Sequence, residues 1–235
     1  MSYLPAELMA CVCARAMRDG DTVVMGTNAH IPTAAWHLAR DSGKPHVRTL
    51  VGATGTLDPT TNSVPASGGD QAFLAGSAVL GLAAGVHDQL RGFADVIFLG
   101  GLQVDAHGRI NLAVIGDYAR PRLRGPGSIG LSLVATIPRT FLFFETHDPR
   151  VFVATVDFIS GDVLGAGGEL LIVTPLGVLG AAAGERTVKL QSVHPGVNFA
   201  DIQAATGFPL DPELAVTTMP PTPIELASLR KNSGR

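Results

Sequence analysis

Residues 22–51, TVVMGTNAHIPTAAWHLARDSGKPHVRTLV, decide the fold. Thr22-Val23-Val24-Met25 is a short β-branched run that Gly26 ends, which is strand chemistry followed by a corner. Residues 26–32 read as a turn that leads into a helix over residues 33–40. Ser42-Gly43-Lys44-Pro45 stops that helix, because glycine and proline cannot continue it. Residues 47–51 form the next strand. Upstream, residues 5–18 read as a helix closed by Asp19-Gly20-Asp21. Helix, strand, helix, strand is the alternation of an α/β fold.

Reading onward, residues 52–70 are rich in Gly, Thr, Pro and Asn and read as a loop, long enough to be functional or covered by a partner. Residues 71–90 read as an apolar helix whose small residues allow close packing. Residues 94–99 form a strand buried on both faces, ended by Gly100-Gly101. Turn chemistry at 105–109 between two extended runs predicts a hairpin over 102–112. A second long loop, 117–130, carries Arg120, Arg122 and Arg124 and then a glycine-rich stretch, with a short helix over 128–136. Residues 140–145 are an aromatic strand and 151–159 another extended run. A hairpin of 170–174 with 176–181, a strand over 188–193 and a helix over 198–206 with Asn198 as its cap follow. From about residue 209 the chain is proline-rich and reads as an extended tail. No repeat or linker interrupts it, so residues 1–235 are expected to form a single domain.

Composition narrows the class. An apolar fraction of 46% against 16% charged supports a large packed core. A net charge of −3 gives no electrostatic case for nucleic acid. No run of 18 apolar residues predicts a membrane span. The N-terminus lacks the basic and apolar regions of a secretory signal. Cys11 and Cys13 are too close along the chain for an ordinary disulfide and have no metal-ligand spacing. Two reduced thiols fit the cytoplasm.

Two glycine-rich turns could carry chemistry. Gly26-Thr27-Asn28 lies between a strand and a helix, where backbone N–H groups meet an incoming anion; a simple chain reversal reads the same way. Gly125 to Gly130, with Ser128, follows three arginines suited to phosphate or carboxylate; a solvated basic loop is the other reading. Gly-x-Ser-x-Gly is absent, and the seven histidines form no ligand cluster. No metal or cofactor is expected. His147, beside Asp148, is the acid/base candidate, against a buried structural role.

A longer ordered set now emerges: Gly100-Gly101-Leu102-Gln103-Val104-Asp105, Gly108, Asn111, Ile115-Gly116-Asp117-Tyr118, Arg120-Pro121 and Pro126-Gly127-Ser128. It continues through Arg139-Thr140, His147, Val156-Asp157-Phe158, Val173-Thr174, Leu176-Gly177-Val178, Val193-His194-Pro195-Gly196-Val197 and Thr206-Gly207-Phe208. This set, spanning nearly the whole chain, resembles the β subunit of family I CoA-transferases, most closely the glutaconate type. The resemblance implies an open, layered α/β sheet with flanking helices, the CoA-transferase (NagB/RpiA-like) fold. It also implies an α-type partner, in an α2β2 heterotetramer, and a CoA thioester as substrate, so that CoA is not a separate cofactor. It places Thr27, Asn28 and Ala29 on a CoA-contacting turn, Gly101 and Gln103 at a strand-end pocket, and Gly127, Ser128 and Gly130 on a glycine-rich loop.

The family pattern is broken at one position. The glutamate that attacks the thioester, expected after the second strand, falls on Gly52, and no acidic residue lies between Asp41 and Asp58. Without that carboxylate no glutamyl thioester can form there. The pattern is similar to the glutamate-lacking branch of the family, the ring-cleaving CoA-thioester hydrolases of cholesterol-degrading bacteria. That likeness implies hydrolytic cleavage of a carbon–carbon bond in a cyclic acyl-CoA from steroid rings, with the general base supplied by the α-type subunit. The alternatives are a CoA-transferase β subunit moving CoA between carboxylic acids, and a non-catalytic partner subunit.

Overall fold

The computed structural model describes residues 2–60, 65, 67–79, 92–128, 130–213 and 215–232. They fall into two compact units, Met1–Phe98 with Pro221–Arg235, and Leu99–Pro220.

The first unit opens with helix α1 (Pro5–Ala16), strand β1 (Thr22–Met25), helix α2 (His30–Asp41) and strand β2 (Arg48–Val51), the predicted alternation. Proline at the first helical position and the Glu7 carboxylate, which accepts from the Leu4 amide at 2.8 Å, start α1. Its C-terminus is finished from a distance. Lys44 Nζ donates to the carbonyls of Ala14 (2.7 Å), Arg15 (2.9 Å) and Met17 (2.5 Å), placing a cation on the negative end of the helix dipole. Lys44→Met strips three carbonyls of that donor. The expected cost is about 2 kcal/mol, read as a melting temperature about 4–8 °C lower.

α2 begins at His30, earlier than the sequence pattern places it, because Ala29 already adopts helical backbone angles and its carbonyl takes the first helical bond, from Thr33. The helix buries Ile31, Ala35, Trp36 and Leu38, and the Trp36 indole donates to the Val47 carbonyl at 3.1 Å. β1 runs parallel to β2 and to β5 (Val96–Leu99). The expected loop over 52–70 contains a strand, β3 (Thr56–Pro59), antiparallel to β2, and β4 (Gly76–Val79) pairs antiparallel with β3. β4 overturns the start of the helix expected over 71–90. There, Gln71–Leu74 is a single 3-10 turn started by the Asp70 side chain, and the next residues extend to pair with β3. A Cβ at Gly76 would lie 2.8 Å from the Leu57 carbonyl, so only glycine lets the strands close. The rest of that expected helix lies outside the described residues.

The segment foreseen as an extended tail from about residue 209 ends in a helix. Pro223–Asn232 forms a helix, here α4, which packs on α1 and α2. Arg15 grips the Glu225 carboxylate with two bonds, at 2.8 and 2.7 Å, and Arg230 binds Glu7 at 2.8 Å. Those partners lie more than 200 residues away in sequence, so a local pattern cannot reveal them.

In the second unit β10 (Arg139–Phe143) runs parallel to β12 (Glu169–Val173). β12 and β13 (Gly177–Ala181) form the expected hairpin, β14 (Lys189–Val193) continues it, and β15 (Val216–Thr217) lies parallel at its edge. The hairpin of β6 (Gln103–Val104) and β7 (Arg109–Asn111) forms as foreseen and is extended by β11 (Gly161–Asp162). β8 (Val114–Gly116) and β9 (Pro121–Arg124) make a separate two-stranded ribbon, with β9 inside the stretch 117–130 that reads as a loop. The helix expected over 128–136 is a 3-10 turn, Leu131–Ala135, capped by Gly130 at φ +76°. The extended run over 151–159 has only one bridge, Val104 to Phe152. Helix α3 (Phe199–Ala204) starts at Asn198 as expected, although the Asn198 side chain makes no capping bond. Thus the α/β class holds. Among the described residues no helix is long and apolar enough to cross a membrane.

Candidate functional site

In the first unit, β1 and β2 align Met25 with Val51, so Gly26 and Gly52 leave the sheet side by side at its carboxyl edge. That edge is where open α/β sheets present ligands. The Gly52 amide donates to the Met25 carbonyl at 2.9 Å, and the residue is exposed. Its φ is not left-handed, and a Cβ would meet the Met25 carbonyl oxygen at 3.1 Å. Backbone conformation therefore does not demand glycine here. A side chain fits if Met25 yields slightly, and the bare position leaves open space at the strand ends.

The next acid along the chain does not substitute. Asp58 sits at φ +46°, and its carboxylate accepts from Arg48 Nε and Nη2 (2.9 and 2.8 Å) and from the Thr49 amide (2.9 Å). It closes the β2–β3 hairpin.

The turn after β1 is held from above. The Thr27 carbonyl accepts from the Gly68 amide at 2.7 Å, and Asn28 bridges Ser67. A Cβ on Gly68 would collide with the Gly26 carbonyl oxygen, so backbone packs directly on backbone. Thr27 and Asn28 are exposed, and the Asn28 amide oxygen lies 2.9 Å from His30 Nδ1. His30 escaped the sequence reading; its only signal was its position two residues after Asn28 at a helix start. Ala29 faces inward, buried with Val51 and Phe73, so its methyl group serves packing.

In the second unit, Gln103 is a buried scaffold. Its Oε1 accepts from Asn111 Nδ2 (2.7 Å) and the Asp157 amide (2.9 Å), and its Nε2 donates to Asp157 Oδ2 (3.2 Å), which also takes the Gly116 amide (2.7 Å). Gly101 is pressed against the same hairpin, a Cβ there lying 3.1 Å from Ile110. The glycine loop is pinned by Gly125 N to the Ala113 carbonyl and Gly127 N to the Leu112 carbonyl. Gly127, at φ +93°, faces open space, and Ser128 is exposed.

His147, the acid/base candidate, is held between two threonines. Nδ1 lies 2.9 Å from Thr174 Oγ1 and Nε2 lies 2.9 Å from Thr206 Oγ1, with the ring stacked on Phe152 at 4.0 Å. Thr206 gives its hydroxyl proton to the Ile202 carbonyl, so it accepts from Nε2–H, while the Thr174 hydroxyl lies between Nδ1 and the Gly177 carbonyl, 3.2 Å away, and has one proton to share between them. Both ring nitrogens have hydroxyl neighbours within the fold. Burial lowers its pKa to about 4, and burial likewise pulls His194 to about 4, against a partial rise from the Thr174 backbone.

Both histidines titrate near 6.5 when unfolded. Between about pH 6.5 and 4 the unfolded chain binds more protons, so stability is complete above this window and falls as pH drops through it. The expected loss is on the order of 2 kcal/mol per histidine. At the other end, burial raises Cys11 and Cys13 to about 12, so stability falls as pH rises above about 9. Melting curves across pH check both slopes, and His147→Asn flattens the acidic one. Among the described residues no group of three or more His, Cys, Asp or Glu could hold a metal ion.

Glycine-cornered parallel strands in one unit and a hairpin-braced glycine loop in the other define an α/β subunit with open strand ends. The Coenzyme A transferase profile matches residues 6–205, and the chain belongs to that family. It is 31% identical to the B subunit of 3-oxoadipate CoA-transferase from Pseudomonas knackmussii, over 100% of this chain and 95% of that one. It is 27% identical to the cholesterol ring-cleaving hydrolase IpdB subunit of Mycobacterium tuberculosis, over 96% and 92%. The decarboxylase AibA/AibB matches with a TM-score of 0.87 at 27% identity, covering 98% and 95%. Glutaconate coenzyme A-transferase from Acidaminococcus fermentans matches at 0.86 and 27%, over the same shares.

Proposed function

We propose that this chain is the β-type subunit of a cytoplasmic heteromeric enzyme that hydrolytically cleaves a carbon–carbon bond in a cyclic acyl-CoA thioester from steroid ring degradation. The observation that carries the reading is the strand end at Gly52. No acid lies between Asp41 and Asp58, and Asp58 is consumed by Arg48 and Thr49. Covalent CoA transfer needs a carboxylate nucleophile, whereas hydrolysis needs room for a ring, a water and a base. The likeness to the IpdB subunit supports this choice. Thr27, Asn28 and Gly52, at the strand ends of the first unit, meet the substrate in this reading, and an α-type subunit supplies the base, in an α2β2 assembly.

A second reading, CoA transfer between carboxylic acids, is favoured by the identity to the 3-oxoadipate enzyme. One experiment separates them. The chain is co-expressed with its α-type subunit and given a cyclic steroid-derived acyl-CoA in ¹⁸O-water. Ring cleavage places heavy oxygen in the new carboxylate. Transfer instead leaves a thioester of CoA with an acidic side chain of this chain, which borohydride or hydroxylamine traps, and that outcome defeats the hydrolytic reading.

A further inference from the structure

The β8–β9 ribbon is unusual in what it leaves uncovered. It pairs with neither of the unit's other sheets, and Arg122, Leu123 and Arg124 are all exposed, so both faces of β9 meet solvent. An isolated two-stranded ribbon is marginal in water and needs cover. Around it sit exposed apolar side chains: Tyr118 at 58%, Leu123 at 47% and Ile159 at 50%.

The patch is rigid. Tyr118 stacks on Phe158 at 5.2 Å, and the Arg124 guanidinium lies over the Tyr118 ring at 4.9 Å while donating to the Tyr118 carbonyl at 3.1 Å. At its base, Asp157 accepts the Gly116 amide and Asn111 binds the Val114 carbonyl at 2.6 Å. The charge is one-sided. Asp117 turns its carboxylate to the Ala119 and Arg120 amides. Neither Arg120 nor Arg122 has a carboxylate partner among the described residues. Three arginines therefore stand out on a chain of net charge −3. A pre-ordered tyrosine with arginines around it is the composition of interface hot spots, which spend little entropy on ordering.

We infer that the ribbon, with Tyr118, Phe158 and Ile159, is a docking surface for an acidic, apolar-centred face of the α-type subunit. The inference rests on the heteromeric reading above and adds where this chain is gripped. Tyr118 and Leu123 enter the partner's apolar centre, and Arg120 and Arg122 meet carboxylates at its rim.

The test uses the purified chain and its α-type subunit, with affinity measured at low and high salt. Arg120→Glu/Arg122→Glu weakens assembly by about thirtyfold at low salt and less at high salt, without lowering the melting temperature of the chain alone. Tyr118→Ala weakens it by about tenfold or more at either salt, and Arg120→Lys/Arg122→Lys keeps most of the affinity. Assembly of the Glu and Ala variants within about twofold of the unaltered chain overturns the inference and leaves the heteromeric reading intact. So does dimerisation of the chain alone through this patch, or unchanged assembly with a raised KM for acyl-CoA, which marks an anion site. If the unaltered chain does not bind the α-type subunit, both readings fail.

Discussion

If the proposed hydrolytic reading holds, Gly52→Glu is expected to lower ring-cleaving turnover by about a hundredfold, the scale on which small misplacements in an active site act. The variant is expected to fold. Gly52 lies at a strand end, is exposed and has no left-handed φ, so a larger residue costs only a slight shift of the Met25 carbonyl, 3.1 Å from the new Cβ. The loss is functional. The added side chain fills the space beside Gly26, and its charge repels the electron density that builds on the substrate as the ring opens. Gly52→Ala, which adds the Cβ without the carboxylate, is expected to lose about tenfold. Turnover of the assembled enzyme, with a melting curve as control, checks both. A Gly52→Glu variant as active as the unaltered protein shows that the strand end does not meet the reacting ring.

Asn111→Ala is expected to be the most destabilising single polar change, at about 4 kcal/mol. Asn111 is fully buried, and its side chain makes four bonds. Oδ1 accepts from the Ala113 and Val114 amides at 3.0 and 3.2 Å, while Nδ2 donates to Gln103 Oε1 at 2.7 Å and to the Val114 carbonyl at 2.6 Å. Truncation removes all four bonds in a closely packed interior, although Gln103 Oε1 keeps the Asp157 amide, and unmet buried groups cost more than a made bond returns. For a chain of this size the melting temperature falls by about 8–16 °C. Asn111→Asp keeps the two acceptor bonds but sets a carboxylate against the Gln103 and Val114 oxygens, so it rescues little. Because Asn111 ties β7 to β8, both variants are also expected to weaken assembly with the α-type subunit beyond what the drop in melting temperature explains.

Local chemistry made much of this legible. Thr22-Val23-Val24-Met25 and Gly26 announced β1 and its corner, and the turn at 105–109 announced the β6–β7 hairpin, because strand propensity and turn geometry act within a few residues. The absence of any acid between Asp41 and Asp58 was equally readable, since it is written in the order of residues and holds in any fold. Non-local pairing hid the rest. Residues 76–79 are apolar and small enough for a helix, yet they extend because β3 offers them backbone partners. Residues 223–232 follow a proline-rich stretch but coil, because Arg15 and Glu7 wait on α1 for Glu225 and Arg230.

The same division applies to the candidate site. Thr27, Asn28 and Gly52 share one sheet edge, which the strand–turn–helix pattern foretold. Gln103 and His147 carried the right residue types, but only folding brought Asn111, Asp157, Thr174 and Thr206 to their polar atoms. The sequence by itself therefore determined the α/β class, the glycine corners and the absence of an acid between Asp41 and Asp58, since each follows from a residue and its near neighbours. The tertiary structure alone decided which polar groups are already spent and which stay exposed. A hydrogen bond between residues 27 or 59 positions apart is set by which surfaces pack together, and nothing in the local order of side chains encodes it.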